Sequence, residues 1–246
     1  MYQFFVEPCQ IQGNRIVITG KDVNHIKNVL RMKKGEEIAI SNGCDGKEYR
    51  CGIEDFTEDE VICTLRFIKE DALELPAKVY LFQGLPKADK MELIIQKAVE
   101  LGVYQVIPVA CKRSVVKLDE KKAKSKIARW QGIAEAAAKQ SKRGIIPQVK
   151  DVMTLKEAIS YSECCKVRLL PYELAEGMEQ TKQIISGLKP GEDVALFIGP
   201  EGGFEEAEVK AAMESKVIPI TLGKRILRTE TAGMTVLSWI MYQLED

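Results

Sequence analysis

The first part of the chain consists of short alternating runs of apolar and polar residues, separated by turn residues. Alternation with a period of two is typical of half-buried β-strands, and Gly, Asn and Asp between the runs are typical of tight turns. The pattern predicts strands over residues 2–6, 15–19, 36–41, 48–56 and 61–68, and one short helix over 22–32. Many short strands joined by tight turns favour a small β-barrel, which we place at residues 1–72.

From residue 73 onward, apolar strands alternate with amphipathic helices. The predicted strands cover 79–83, 103–109, 167–170, 194–198 and 217–222. The first helix has one apolar stripe, formed by Met91, Ile94, Ile95 and Ala98, and Gly102 follows as its expected end. Later helices are predicted at 155–161, 178–186 and 205–215. The last helix is predicted to bury Met234, Leu237, Met241 and Leu244. This alternation predicts a largely parallel sheet with helices on both faces, over residues 73–246.

Two glycine-rich turns, at 198–204 and 222–232, each follow an apolar run near the C-terminal end. Open α/β sheets bind ligands at the carboxyl ends of their strands, and glycine lets the backbone approach a ligand closely. Glu201 inside the first turn disfavours a bound phosphate, and the GxxxxGK[ST] and GxGxxG patterns of phosphate and dinucleotide sites are absent. The first turn is therefore a candidate ligand loop, with a purely structural turn as the alternative.

The second turn carries more charge than a turn requires. It contains Arg225, Arg228, Glu230 and Thr231, and Thr231 is predicted to cap the final helix. A cap accounts for one residue but not for two arginines beside a glutamate. Arg228 is therefore a candidate functional residue, and an ion pair with Glu201 or Glu230 is the structural alternative.

Composition narrows the class of protein. The chain has 246 residues, 46% of them apolar, and a formal net charge of zero. It has no run long enough to span a bilayer and no visible signal peptide, which predicts a cytoplasmic location without membrane attachment. Seven cysteines without CxxC pairs, and a single histidine, favour reduced thiols and no metal site.

The charge is unevenly distributed along the chain. Residues 112–143 contain eleven lysines and arginines against three acids. Such a cluster can attract phosphates, and a solvated helix face is the alternative. His25 and Arg31 lie in the predicted N-terminal helix together with several lysines. Arg31 is a candidate phosphate contact. His25 could act as a base, and a polar or capping contact is the favoured alternative for it.

These residues together resemble the bacterial 16S ribosomal RNA uridine-N3 methyltransferases of the SPOUT, or trefoil-knot, superfamily. The resemblance covers nearly the whole chain. Its most specific motifs are IGPEGGF at 198–204 and LG at 222–223 followed by ILRTETA at 226–232. Further matching segments lie at 25–35, 97–103 and 135–147. Glu205 departs from the hydroxyl-bearing cap expected there, which puts only the stability of the local helix in question.

The resemblance implies a PUA-like β-barrel at 1–72 that helps to hold RNA, and a knotted SPOUT methyltransferase domain at 73–246. It implies a homodimer that acts on 16S rRNA of the small ribosomal subunit. The implied S-adenosylmethionine pocket is formed by Leu170, Pro171, Ile198, Gly199, Gly202, Leu222, Gly223, Ile226, Leu227, Thr231 and Ala232. The candidate RNA contacts are His25, Arg31, Lys112, Arg113, Lys142 and Arg143.

The chemistry implied is methyl transfer to N3 of a uridine, a nitrogen that must lose its proton. Arg228 and Glu201 are the candidate catalytic residues: Arg228 could stabilise negative charge on the uracil, and Glu201 could pair with Arg228 or face the sulfonium. Two alternatives stay open, a SPOUT methyltransferase for another RNA such as tRNA, and a non-catalytic ribosome assembly factor that binds RNA. A dinucleotide-binding oxidoreductase is a weaker third alternative.

Overall fold

The structure is a computed structural model that describes residues 1–70, 73–175 and 177–245. It forms two compact units: Met1–Glu74 with Ala138–Ile146, and Leu75–Ala137 with Pro147–Asp246. The predicted division between residues 72 and 73 lies near the first boundary. The sequence assigns residues 138–146 to the second domain, whereas the structure groups them with the first unit.

The first unit contains one six-stranded sheet. Its strands are β1 (Gln3–Phe5), β2 (Ile11–Gln12), β3 (Arg15–Thr19), β4 (Glu37–Ser41), β5 (Glu48–Phe56) and β6 (Glu60–Lys69). They are ordered β1-β4-β5-β6-β3-β2, and only the β1–β4 pairing is parallel. The five predicted strands are confirmed, because alternate residues such as Ile16 and Ile18 point into a shared apolar core. The predicted N-terminal helix is a short α1 (Lys21–Asn24) continued by a π-helical turn at His25–Val29.

The second unit contains one sheet whose strand pairs are all parallel. The strands are β7 (Val79–Gly84), β8 (Gln105–Ala110), β9 (Gln148–Val149), β10 (Met153–Thr154), β11 (Val167–Pro171), β12 (Val194–Ile198) and β13 (Ile218–Ile220). The order is β10-β8-β7-β12-β11-β13, and β9 also pairs with β8. Every residue of the central strands β7 and β12 is buried, as expected for strands covered on both faces. The predicted parallel sheet is confirmed.

Helices cover both faces of this sheet, as predicted. They are α2 (Lys90–Glu100), α3 (Glu120–Ser141), α4 (Leu155–Tyr161), α5 (Met178–Ser186), α6 (Glu206–Glu214) and α7 (Thr229–Leu244). Helices α4 and α6 share a core with Phe82 and Phe197, while α7 packs on the opposite face against α2 and β12. The predicted stripe of α2 is buried, and Gly102 ends that helix with a φ of +85°.

Two helix details differ from the prediction. Helix α7 begins at Thr229, so Thr231 lies within the first turn and does not cap it. The buried face of α7 is formed by Ala232, Gly233, Val236, Leu237, Ile240 and Leu244, whereas Met234 and Met241 are half-buried. Ala232 and Gly233 lie on this buried face, where even a Cβ on Gly233 would make only an ordinary contact, at 3.7 Å from Ile198. The prediction counted large apolar residues and missed these small ones.

Within the described ranges, no helix is long and apolar enough to cross a membrane. All seven cysteines are free thiols. In the same part of the chain, no three His, Cys, Asp or Glu side chains come together to hold a metal ion.

Candidate active site

A cavity of about 440 Å³ opens at the carboxyl ends of β11, β12 and β13, within the second unit. This volume falls in the range of small-molecule sites, and the position is where open α/β sheets bind ligands. Residues 171–173, 198–204 and 221–229 form most of its wall. The two glycine-rich turns predicted to form a ligand site are therefore neighbours in space.

Most of the predicted cofactor residues line this cavity. They are Pro171, Ile198, Gly199, Gly202, Leu222, Gly223, Ile226, Leu227 and Ala232. Two predicted residues lie elsewhere. Leu170 is buried in the core between the sheet and helices α4 and α6, and Thr231 is exposed on the first turn of α7. Both follow from local geometry: alternate residues of a strand face opposite sides, and α7 begins earlier than predicted.

The first glycine loop, which we define as residues 198–204, is fixed against the end of β7. Gly84 approaches it so closely that a Cβ there would lie 2.6 Å from Pro200 N and 3.0 Å from the Gly199 carbonyl carbon. Any larger residue at position 84 would displace the loop, since real Cβ atoms do not approach other atoms so closely. The shape of the cavity therefore depends on a glycine outside both predicted motifs.

A buried polar chain joins the two glycine turns. The Gln83 Nε2 donates to Thr229 Oγ1 at 2.9 Å, and that hydroxyl donates to the Gly199 carbonyl at 2.6 Å. Gln83 is fully buried at the end of β7, and Thr229 is the first residue of α7. Buried polar groups in folded proteins almost always have hydrogen-bond partners. These two hydrogen bonds connect β7, the first glycine loop and α7. The sequence analysis missed both residues; the only signal was a glutamine ending an apolar strand.

Glu201 is held by the segment before α2. Its carboxylate accepts a hydrogen bond from Lys90 Nζ at 2.8 Å and another from the Lys87 backbone N–H at 3.0 Å. Burial opposes ionisation of Glu201, but these hydrogen bonds outweigh it and hold the pKa of the carboxyl below its ordinary value. Of the two possibilities given for Glu201, the pairing with Arg228 is not formed, because Lys90 is its partner.

The second turn presents its cations to the cavity. Arg225 and Arg228 both line it and are exposed. Across the described residues, Arg228 pairs with no carboxylate, although its positive charge is close enough to oppose protonation of Lys90. Glu230 lies instead 3.6 Å from Lys90 Nζ. The structural alternative for Arg228, an ion pair with Glu201 or Glu230, is therefore also wrong.

The candidate RNA contacts differ in accessibility. Lys112 and Arg113 are exposed beside the cavity, and Arg113 Nη1 donates to the Gly202 carbonyl at 3.0 Å. In the first unit, His25, Arg31 and Lys142 are exposed. The His25 ring meets Phe4 edge-on at 6.4 Å between centroids.

Arg143 is the exception among the predicted RNA contacts. It is only 3% exposed, and its guanidinium pairs with Glu74 within the first unit. A buried and paired arginine is not accessible to a phosphate, so we remove Arg143 from the candidate RNA contacts. Its partner lies 69 residues earlier in the chain, so the pattern of basic residues around Arg143 could not predict this ion pair.

The unusual cap at Glu205 is supported by its own helix. The Glu205 backbone N–H donates to Glu208 Oε2 at 2.8 Å, and the other carboxylate oxygen of Glu208 accepts from the Lys112 backbone N–H at 2.9 Å. Glu208 therefore satisfies the backbone donor at the N-cap of α6 and a second one in the loop after β8. The doubt about this helix is resolved, because the third residue of α6 supplies the capping interaction.

Comparison with known proteins agrees with this architecture. Residues 73–241 match the family model described as an RNA methyltransferase domain, and residues 18–66 match an RNA methyltransferase PUA domain. The fold and the cavity are therefore those of a SPOUT-type RNA methyltransferase with a PUA domain.

Individual relatives narrow the class further. The ribosomal RNA small subunit methyltransferase E of Bacillus subtilis is 41% identical, with 100% of this chain and 98% of the relative covered. Its counterpart in Aquifex aeolicus is 29% identical over 98% of this chain and 99% of the relative. The Neisseria gonorrhoeae enzyme of that name, solved bound to S-adenosyl methionine, superposes with a TM-score of 0.84 at 28% identity over 98% of this chain and 97% of the other. The chain belongs to the ribosomal RNA small subunit methyltransferase E family, which confirms the resemblance read from the sequence.

Proposed function

We propose that this protein transfers a methyl group from S-adenosylmethionine to N3 of a uridine in 16S rRNA of the small ribosomal subunit. The observation that carries the proposal is the cavity where both family motifs meet, with Arg228 at its wall, whose guanidinium pairs with no carboxylate among the described residues. Family membership supports the reaction class and the ribosomal substrate. The position of the methyl group on the base follows from the resemblance of the motifs.

The cavity suits S-adenosylmethionine. Gly199, Gly202 and Gly223 present backbone rather than side chains, and Leu222 and Leu227 supply apolar surface for an adenine ring. Glu173 also lines the cavity, and its negative charge complements a ligand that carries a sulfonium and an ammonium group. When bound, this cofactor supplies an electrophilic methyl group.

The chain's own residues would then orient the uridine and accommodate its charge. Release of the N3 proton to solvent leaves negative charge on the uracil ring, and we assign Arg228, one of the exposed cations that line the cavity, to stabilise that charge. Glu201 is engaged by Lys90 and Lys87, and its lowered pKa makes it a weak base, so we assign it to holding the first glycine loop and not to taking the proton. Holding donor and acceptor close and aligned contributes to the rate as well.

RNA would be held by exposed polar and positively charged side chains. We propose Lys112 and Arg113 beside the cavity, and His25, Arg31 and Lys142 in the first unit, as contacts to the rRNA. N3 lies on the pairing edge of uracil, so the target base must be unpaired during transfer. We also propose, from the family resemblance, that the protein acts as a homodimer in the cytoplasm.

The test is transfer of a labelled methyl group from S-adenosylmethionine to small ribosomal subunits isolated from cells that lack this gene. The expected result is label in N3-methyluridine at one position of 16S rRNA, identified by mass spectrometry. Label confined to tRNA would retain the methyltransferase and reject the substrate. Cofactor binding without transfer to any RNA would reject the enzyme and favour the assembly factor.

A further inference from the structure

Lys90 stands at the wall of the cavity but belongs to neither family motif of the cavity. It is the first residue of α2, and its ammonium lies 2.8 Å from Glu201 Oε1 and 3.6 Å from Glu230 Oε2. The hydrogen bond to Glu201 raises the pKa of Lys90 above its ordinary value, so the side chain is charged at neutral pH. The Lys90 ammonium therefore interacts with one carboxylate from each glycine turn.

The two carboxylates differ in how firmly they are held. Glu201 has a second partner in the Lys87 backbone N–H. Glu230 has none: its Oε2 is shielded from solvent and, among the described residues, accepts no hydrogen bond. Such an oxygen gains from a nearby cation more than a solvated one does, and Lys90 is the cation that approaches it.

Arg228 is the other cation of this cluster. It lies two residues before Glu230, lines the same cavity and pairs with no carboxylate in the described part of the chain. Arginine binds carboxylates through two parallel hydrogen bonds, which makes it a strong competitor for any free one. The two carboxylates next to Lys90, those of Glu201 and Glu230, are engaged by that lysine and not by Arg228.

We propose that Lys90 is a positioning residue: by engaging Glu201 and Glu230, it keeps the Arg228 guanidinium unpaired and open to the cavity. The inference rests on the proposed function, because an open Arg228 matters only if it meets a substrate there. Without Lys90, Glu230 becomes the partner of Arg228, and the charge that should stabilise the uracil is neutralised before the substrate arrives.

The experiment compares the wild type with Lys90→Met, Lys90→Arg and the double variant Lys90→Met/Glu230→Gln. We expect Lys90→Met to lower kcat roughly tenfold, less than removal of Arg228 itself, with little change in KM for S-adenosylmethionine. Lys90→Arg keeps most of the activity. The double variant recovers much of the lost kcat, since the freed carboxylate is gone and Glu201 is still held by Lys87. A merely structural role of Lys90 predicts no such recovery.

A second readout does not depend on methyl transfer. Phenylglyoxal modifies accessible, unpaired arginines, and peptide mass spectrometry gives its rate at Arg228 in each variant. We expect slower modification in Lys90→Met and restored modification in the double variant, with Arg225 as the internal control. An unchanged rate in Lys90→Met, or a double variant no better than the single one, overturns the inference. If this pattern holds but the wild type methylates no RNA, the proposed function fails while the role of Lys90 stands.

Discussion

The two glycine turns that form the cavity are built in opposite ways. The first glycine loop is held from several sides: Gly84 packs beneath it, Lys87 and Lys90 bind its glutamate, and Arg113 binds a carbonyl of Gly202. The second turn is open, and its residues Gly223 to Ile226 are exposed. Binding surfaces that are already ordered lose less entropy when a ligand arrives. The first loop is therefore fixed by contacts with other segments, whereas the second turn presents exposed residues at the cavity.

The largest expected effect on stability and cofactor binding comes from a substitution that displaces the first glycine loop. Gly84→Ala places a methyl group against Pro200 and Gly199, so we expect the free energy of unfolding to fall by about 1–3 kcal/mol and cofactor binding to weaken strongly. Thermal denaturation and calorimetric titration with S-adenosylmethionine measure the two effects. Gly132→Ala is the matched control, because nothing lies within 4 Å of its added methyl and it sits in α3. Equal behaviour of the two variants would show that the close approach at Gly84 has no consequence.

The next effect comes from cutting the buried polar chain. Thr229→Val leaves the Gly199 carbonyl and the Gln83 amide without their shared hydroxyl, so we expect a loss of about 1–3 kcal/mol in stability together with weaker cofactor binding. Thr229→Ser keeps the hydroxyl and should stay close to the wild type. Chemical denaturation of both variants provides the measurement. A valine variant as stable as the serine variant would mean that the hydrogen bonds of Thr229 do not hold the two turns together.

A smaller effect concerns pH. The folded-state pKa of Glu201 is lowered, so its contribution to stability is present above its ordinary pKa of 4.5 and is lost as the pH falls through the lower folded value. We expect the stability of wild type to fall more steeply than that of Glu201→Gln between about pH 5 and about pH 3. Denaturation midpoints across this range give the comparison. If the stabilities of the wild type and Glu201→Gln changed in parallel with pH, the hydrogen bond between Glu201 and Lys90 would not contribute to stability.

The smallest stability effect is expected in the open turn. Ile226 is 86% exposed although it lines the cavity. Ile226→Ser should change the free energy of unfolding by less than about 0.5 kcal/mol, while cofactor affinity falls because an apolar contact is lost. Denaturation and calorimetric titration separate the two quantities. A large loss of stability would show that the second turn is as firmly packed as the first loop.

Much of the fold follows from local sequence patterns. The longer strands of both units and the helices Leu155–Tyr161 and Met178–Ser186 lie where the periodicity predicts them, whereas the two-residue strands β2, β9 and β10 were not predicted. The cavity lining is also largely predictable, because glycine motifs at strand ends mark where ligands bind. These features depend on neighbouring residues, which the linear sequence displays directly.

The remaining features depend on contacts between distant residues. Lys90 meets Glu201 across 111 positions, and Gln83 meets Thr229 across 146. No local pattern predicts such pairs. For the same reason the sequence could not decide whether Arg228 pairs with a carboxylate, and it placed the buried Arg143 among the RNA contacts. The charges of a site can be listed from sequence, but their pairing is decided by the fold.

The central claim is that an unpaired Arg228 assists methyl transfer in this cavity. The most direct test is the single-turnover rate of methyl transfer to small ribosomal subunits for Arg228→Ala and Arg228→Lys, with cofactor affinity measured on the same preparations. We expect Arg228→Ala to lower the rate about 100-fold or more, Arg228→Lys to fall between it and the wild type, and cofactor affinity to stay nearly constant. A near-normal rate in Arg228→Ala would contradict the account.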